Sequence, residues 1–356
     1  MANLDLSQLV QQKIKDLKAY HVETIDCDVK LHANENPFPP SPELLQQLQN
    51  GLENFELNRY PDPDCAELKK AISGRVGQTV DHLTVGNGSD ELIQLILQVF
   101  CDAGDSVVFP DPTFAMYSII ARGMGLKPLT VPLDDRWDFN GEAFLKSISN
   151  ENPKVVFISY PNNPTGNCFS EASIWKIIEE FQGIVVLDEA YYDFAGKTFV
   201  SHLANHNNLI VLRSLSKIGM AALRVGYAVA HPSIIAEINK VRLPYNSNTV
   251  SQTFATQLLN NFSLAQKQID LILLERDRMA SEMAKCNSIT VFHSDSNFVL
   301  FRAESGGRKI FENLMQNGIL IRDLGGHPRL KDCLRVTVGT QQENNLFLEK
   351  LQMLTE

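Results

Sequence analysis

The sequence predicts an α/β fold: a large domain on a mainly parallel, helix-covered sheet of about seven strands, plus a smaller α+β domain. Three observations predict it. From about residue 82, short apolar runs alternate with amphipathic helical stretches. Those runs are apolar at nearly every position, as strands covered on both faces must be. After about residue 245 the texture changes to long helical stretches followed by alternating strands. The 356 residues suffice for two domains. The expected division is an N-terminal arm (1–35) packing on the small domain, a large domain (36–245) and a small one (246–356).

The elements follow in order. HLTVGNG (82–88) reads as a strand and turn. SDELIQLILQVFCDAG (89–104) reads as a helix with Leu92, Leu95, Ile96, Val99 and Phe100 on one stripe. DSVVFP (105–110) is a buried strand, and KPLTVPL (127–133), KVVFISY (154–160), GIVVLDEA (183–190), NLIVLRS (208–214) and RVGYAVA (224–230) are the next strand candidates. SEASIWKIIEEF (170–181) is a helix between two of them. Beyond them lie helical stretches at roughly 249–263 and 264–287, paired strands in SITVFHSDSNFVLFRA (288–303), a helix, GILIRDL (318–324), CLRVTVGT (333–340) and a terminal helix.

Composition narrows the function. Hydrophobic residues make up 44% and charged residues 21%, the balance of a globular protein. A net charge of −10 with no long basic run argues against nucleic acid and anionic membranes as partners. The six cysteines lack C-x-x-C or metal-finger spacing, and the eight histidines show no ligand spacing, so no metal is expected. The start lacks an apolar signal region, and no apolar run approaches the roughly 20 residues of a membrane span. A cytoplasmic location is the expectation.

The chemistry gathers at strand ends. The first strand of the alternating region ends in GNGSDE, where Gly88 and Ser89 open a helix whose first N–H groups suit an anion. Other strands end in PNNPTG, DEAY and SLSK, and Arg224 follows Lys217 after seven residues. Taken singly, these are also what a capped helix, a tight turn or a solvated strand end provides. Their joint occurrence at the carboxyl ends of successive strands is what a ligand site in an open α/β sheet requires. A dinucleotide fingerprint fails because Glu91 stands where the third glycine belongs, and a Walker loop fails for want of G-K-[ST]. A lysine nucleophile, a carboxylate, nearby Asn and Tyr, and a phosphate nest are what pyridoxal 5′-phosphate needs.

At this point the sequence resembles the aspartate aminotransferase-like family of fold type I. Within it, the similarity is to the histidinol-phosphate aminotransferase branch. The resemblance covers nearly the whole chain, through LHANENPF (31–38), RYPDP (59–63), GNGSDE, PTFAMY (112–117), PNNPTG, DEAY, SLSK, LRVG and CLRVTVG. It implies roles for matching residues. Lys217 binds the cofactor aldehyde as a Schiff base and then moves a proton as base and acid. Asp188 pairs with the protonated pyridine nitrogen, while Asn163 and Tyr191 donate to the ring's phenolate oxygen. Phe114, where many relatives carry Tyr, stacks on the ring. Ser214, Ser216, Arg224 and the Gly88–Ser89 amides hold the phosphate. The interval of seven between Lys217 and Arg224 is eight in many relatives, so the intervening turn is expected to be tighter. Tyr60 reaches the phosphate of the neighbouring subunit, making a homodimer part of the site. Arg335 grips the substrate carboxylate, Arg322 and Tyr20 are candidates for the substrate phosphate, and Asn34 lines the pocket mouth.

The implied reaction is amino transfer between L-histidinol phosphate and 2-oxoglutarate, giving imidazole-acetol phosphate and glutamate. Two kinds of alternative stay open. The same fold and cofactor also serve aromatic amino-acid aminotransferases and amino-acid phosphate decarboxylases. A non-catalytic sensor domain is the other, although such regulators usually carry a DNA-binding domain.

Overall fold

The structure is a computed structural model, and it describes residues 6–19, 25–52, 56 and 58–355. Strand β1 (Val29–Lys30) belongs to a minor sheet. The large sheet comprises β2 (Leu83–Asn87), β3 (Ser106–Asp111), β4 (Lys127–Pro132), β5 (Val155–Ser159), β6 (Ile184–Asp188), β7 (Leu209–Ser214) and β8 (Val225–Ala230). Its order is β2-β8-β7-β6-β5-β3-β4, seven strands. Neighbours are parallel except at β8, which runs antiparallel to both β2 and β7.

That reversal has a simple cause. A parallel neighbour needs a crossover of roughly a dozen residues or more. The segment from Leu215 to Arg224 is shorter and folds into two 3₁₀ turns, Ser216–Ile218 and Ala221–Leu223. The amino end of β8 therefore lies beside the carboxyl ends of its antiparallel neighbours β2 and β7. At the other edge, β4 carries Pro128 and Pro132, tolerated where one side of the strand has no partner.

Strands β5 and β7 are buried at every position, and β6 at all but Ile184. The helix Ser89–Phe100 buries Leu92, Ile93, Leu95, Ile96 and Leu97, a wider stripe than expected, with Val99 and Phe100 packed at its margin.

The smaller part has a four-stranded antiparallel sheet of β9 (Ile289–Val291), β10 (Phe298–Ala303), β12 (Arg322–Asp323) and β13 (Cys333–Thr337), ordered β12-β13-β10-β9. The stretch expected as one strand over 318–324 is divided. Strand β11 (Ile319–Leu320) pairs in parallel with β1, whereas β12 pairs with β13. Ile321, 1% exposed, lies between the two pieces, so the chain changes sheets there without leaving the core. Helix Phe262–Met283 precedes β9, and the helix Thr249–Asn260 lies against helices Pro42–Leu52 and Ala66–Val76.

Candidate active site

The carboxyl ends of β2, β5, β6 and β7 meet the amino end of β8 around a cavity of about 620 Å³. Lys217 lines it from the first 3₁₀ turn after β7, which ends at Gly219 with φ of 101°. Two backbone bonds close the loop: Leu215 N–H donates to Val225 O (3.0 Å), and Met220 N–H to Leu215 O (3.2 Å). Arg224 leaves the second turn with φ of 53° and returns its guanidinium to the same cavity. The tight seven-residue interval is thus accommodated by two successive 3₁₀ turns.

The anion cradle is built from three segments. Arg224 NH1 lies 3.4 Å from Ser216 Oγ, and NH2 donates to Asp90 Oδ2 at 3.1 Å. Ser214 Oγ accepts from Ser216 N–H (3.1 Å) and donates to Ser216 Oγ (2.9 Å). Gly88, at φ of 82°, opens the helix that begins at Ser89. Gly226 lets β8 pass directly beneath this turn, since a Cβ there would lie 2.5 Å from Ser89 N. A Cβ on Gly88 would meet the Arg224 guanidinium at 2.5 Å. Both glycines keep the backbone amides and the arginine together.

Asp188 ends β6, is 3% exposed, and faces the cavity. Its Oδ2 accepts from the Tyr117 hydroxyl (2.8 Å) and its Oδ1 from Ala190 N–H (3.1 Å). Burial pushes its carboxyl up to about 6 against the downward pull of those two bonds; Asp90 adds to the rise and Lys217 opposes it.

The opposite wall holds the substrate-side groups. Asn34, 2% exposed, donates to Tyr191 Oη (2.9 Å) and accepts from Thr337 Oγ1 (3.2 Å). With that oxygen accepting from Asn34, the Tyr191 proton is left for a cavity group. Arg335 NH1 donates to Asn163 Oδ1 and NH2 to His32 O (2.9 Å), with the guanidinium 5.2 Å from the Phe298 ring centre. Arg322 lines the same wall, and in the β12–β13 register its partner is Arg335. Burial and these two arginines lower the basicity of His32, with Glu35 opposing.

The structure thus brings Asn34, Ser89, Phe114, Asn163, Asp188, Tyr191, Ser214, Ser216, Lys217, Arg224, Arg322 and Arg335 to one cavity, with Gly88 just behind. Tyr60 does not line it: the ring is 80% exposed and stacked 4.5 Å from Tyr245. Tyr20 lies outside the described residues.

Residues 28–351 match the model of the aminotransferase class I and II family. The chain belongs to that family. A histidinol-phosphate aminotransferase of Nitrosococcus oceani is 42% identical over 98% of this chain and 97% of its own. One from Caldanaerobacter subterraneus subsp. tengcongensis is 38% identical over 98% and 99%. The histidinol-phosphate aminotransferase of Sinorhizobium meliloti, solved in complex with pyridoxal-5′-phosphate, superposes with a TM-score of 0.89 at 24% identity, covering 97% of both chains. That likeness shows the fold.

The donor set of this aminotransferase fits such a cofactor. Asp188 is a buried carboxylate with no ion-pair partner among the described residues, an arrangement that is costly unless a cation meets it. A pyridinium nitrogen is such a cation. The cradle of Ser214, Ser216, Arg224 and the Ser89 amide offers donors to a phosphate, and Lys217 offers a primary amine between the two. Sequence reasoning gave no role to His32, which lines the cavity, or to Tyr117, which donates to Asp188. His32 stands in LHANENPF and Tyr117 in PTFAMY, stretches singled out without a role for either residue. The signal for Tyr117 was its place three residues after Phe114, in the turn that starts the following helix, where the two rings meet edge-on at 5.5 Å.

Proposed function

We propose that the chain is a homodimeric pyridoxal-phosphate-dependent transaminase of histidine biosynthesis. In this reading it exchanges the amino group between L-histidinol phosphate and 2-oxoglutarate, yielding imidazole-acetol phosphate and glutamate. The observation that carries the substrate choice is the cross-strand pair Arg322 and Arg335 in the cavity that holds Lys217. Two guanidinium groups opposite one amine suit substrates that bring either a phosphate or carboxylates. One donor of the proposed pair carries a phosphate, and its partner carries two carboxylates, so both halves of the exchange use one anion wall.

The bound cofactor supplies an electrophilic aldehyde and an electron-accepting ring. The protein supplies the rest. Lys217 Nζ would bind the cofactor's aldehyde carbon and, once freed by a substrate amine, would carry a proton from substrate Cα to that former aldehyde carbon, on the far side of the intervening nitrogen. Asp188 holds the ring nitrogen's proton. Asn163 and Tyr191 donate to the ring oxygen, and Asn34 keeps the Tyr191 hydroxyl turned toward it. Phe114 covers a ring face, and lacks the hydroxyl through which a tyrosine there could make a polar contact. Arg335 grips the carboxylate of glutamate or 2-oxoglutarate. The phosphate of histidinol phosphate is taken by Arg322 or by Tyr20. Tyr60 of one subunit reaches the phosphate cradle of the other.

Borohydride reduction followed by peptide mapping is expected to place the cofactor label on Lys217. Lys217→Ala is expected to lose that label and to lower turnover by at least roughly 10²–10⁴-fold, the range of acid–base catalysis alone. Substrate assignment is tested by comparing histidinol phosphate with phenylalanine and threonine phosphate, following carbon dioxide release. Faster amino transfer from phenylalanine, or decarboxylation of threonine phosphate, would sink it.

A further inference from the structure

The ring-nitrogen carboxylate is held by a tyrosine that no part of the transamination scheme uses. Tyr117 is 0% exposed and lies in the first turn of the helix Met116–Met124. Its ring stacks on Phe157 (centroids 4.9 Å, interplanar 15°) and takes Phe114 edge-on (5.5 Å, 86°). Its hydroxyl reaches Asp188 Oδ2 at 2.8 Å. One side chain thus touches both the aromatic proposed to cover the cofactor ring and the carboxylate proposed to meet its nitrogen.

We propose that Tyr117 is a positioning residue which keeps Asp188 ionised and aimed at the cofactor nitrogen. The inference rests on the reading of Asp188 as the ring partner. A buried tyrosine has few ways to satisfy its hydroxyl, and donating to a carboxylate stabilises the charged form of that carboxylate. Phe157 and Phe114 fix the phenol plane, so the O–H arrives from one direction. That direction leaves Oδ1, steadied by Ala190 N–H, to share the remaining side of the carboxylate with an incoming group. The charged and titratable groups around Asp188 are Lys217 from the turn after β7, Asp90 from the helix after β2, and Tyr117 and Tyr191. Lys217 favours the anion and Asp90 disfavours it, while the Tyr117 hydroxyl bond is the largest favourable influence against burial.

The test measures cofactor dissociation constants against pH on the folded protein, by equilibrium titration without turnover. Binding a protonated ring beside an ionised carboxylate weakens tenfold per pH unit once Asp188 is protonated in the free protein. The wild-type profile is therefore expected to break near the point where Asp188 titrates, about 6. In Tyr117→Phe the break should move up by about one unit, the worth of a hydrogen bond to a charged group, and affinity at pH 6 should fall on the order of tenfold. Replacing Tyr117 with 3-fluorotyrosine, nearly isosteric and a stronger donor, should move the break downward. This second replacement decides the matter if Tyr117→Phe does not fold. Asp188→Asn should abolish the break. A break that persists in Asp188→Asn overturns the reading of Asp188 itself. A break lost there but unmoved by either Tyr117 replacement overturns the role of Tyr117 alone.

Discussion

Asp188 shows what a buried carboxylate costs the fold that holds it. Its folded-state value of about 6 lies above the ordinary 3.8, so between those values the folded protein binds the extra proton. Stability of the cofactor-free protein therefore declines as pH rises through that window, and the cost is complete above about 6. The shift amounts to about 3 kcal/mol at neutral pH. Asp188→Asn is expected to raise the unfolding free energy of the cofactor-free protein by up to that amount at pH 7, and to leave it little changed at pH 3. Urea titrations at the two pH values check this; equal shifts at both would remove the linkage. At this scale the sequence was informative where residue type is scarce. A lysine after two serines and an acid within an apolar strand end announce themselves in Lys217 and Asp188. Tyr117 did not, because a tyrosine among apolar neighbours reads as core until the fold sets a carboxylate 2.8 Å from its hydroxyl.

Between elements, the ends of β6 and β7 are tied by a buried ion pair. Arg213 donates to Glu189 Oε2 through Nε (3.1 Å) and NH2 (2.9 Å), and its guanidinium lies 3.4 Å from the Tyr192 ring centre. Glu189 also accepts from Phe199 N–H and Thr198 Oγ1, both at 2.8 Å. Glu189 follows Asp188 and Arg213 precedes Ser214, so the pair fixes the spacing between Asp188 and the Ser214–Ser216 side of the anion cradle. Glu189→Ala leaves Arg213 buried without its carboxylate and is expected to cost about 3–5 kcal/mol, read from chemical denaturation. A loss below about 1 kcal/mol, the worth of an exposed pair, would contradict that placement. The strands themselves were legible, since β5, β6 and β7 run apolar and are buried along their length. The direction of β8 and the change of sheet at Ile321 were not. Both depend on which neighbour has a free edge, and local apolar pattern carries no record of that.

For the whole molecule, the exposed Tyr60–Tyr245 stack is the feature a single chain leaves unexplained. Tyr60 is 80% exposed and Leu243 70%, close to the polypeptide that carries Asn246 into contact with Glu91. If Tyr60 serves the neighbouring subunit, inactive variants should repair one another. Mixing Tyr60→Ala with Lys217→Ala after joint refolding is expected to restore about a quarter of wild-type turnover, since half of the dimers are mixed and each has one intact site. No recovery, with mixed dimers verified by tagged co-purification, would place Tyr60 in its own subunit's site or outside function.

The reversed strand has one more consequence. Because Leu215 N–H is bonded to Val225 O across the mouth of the loop, the separation of Lys217 from Arg224 is governed by ladder alignment rather than by the number of intervening residues. An extra amino acid in that excursion can bulge toward solvent while both anchors stay where they are. Evolution is free to lengthen or shorten the excursion; what it must conserve is the rung at its base.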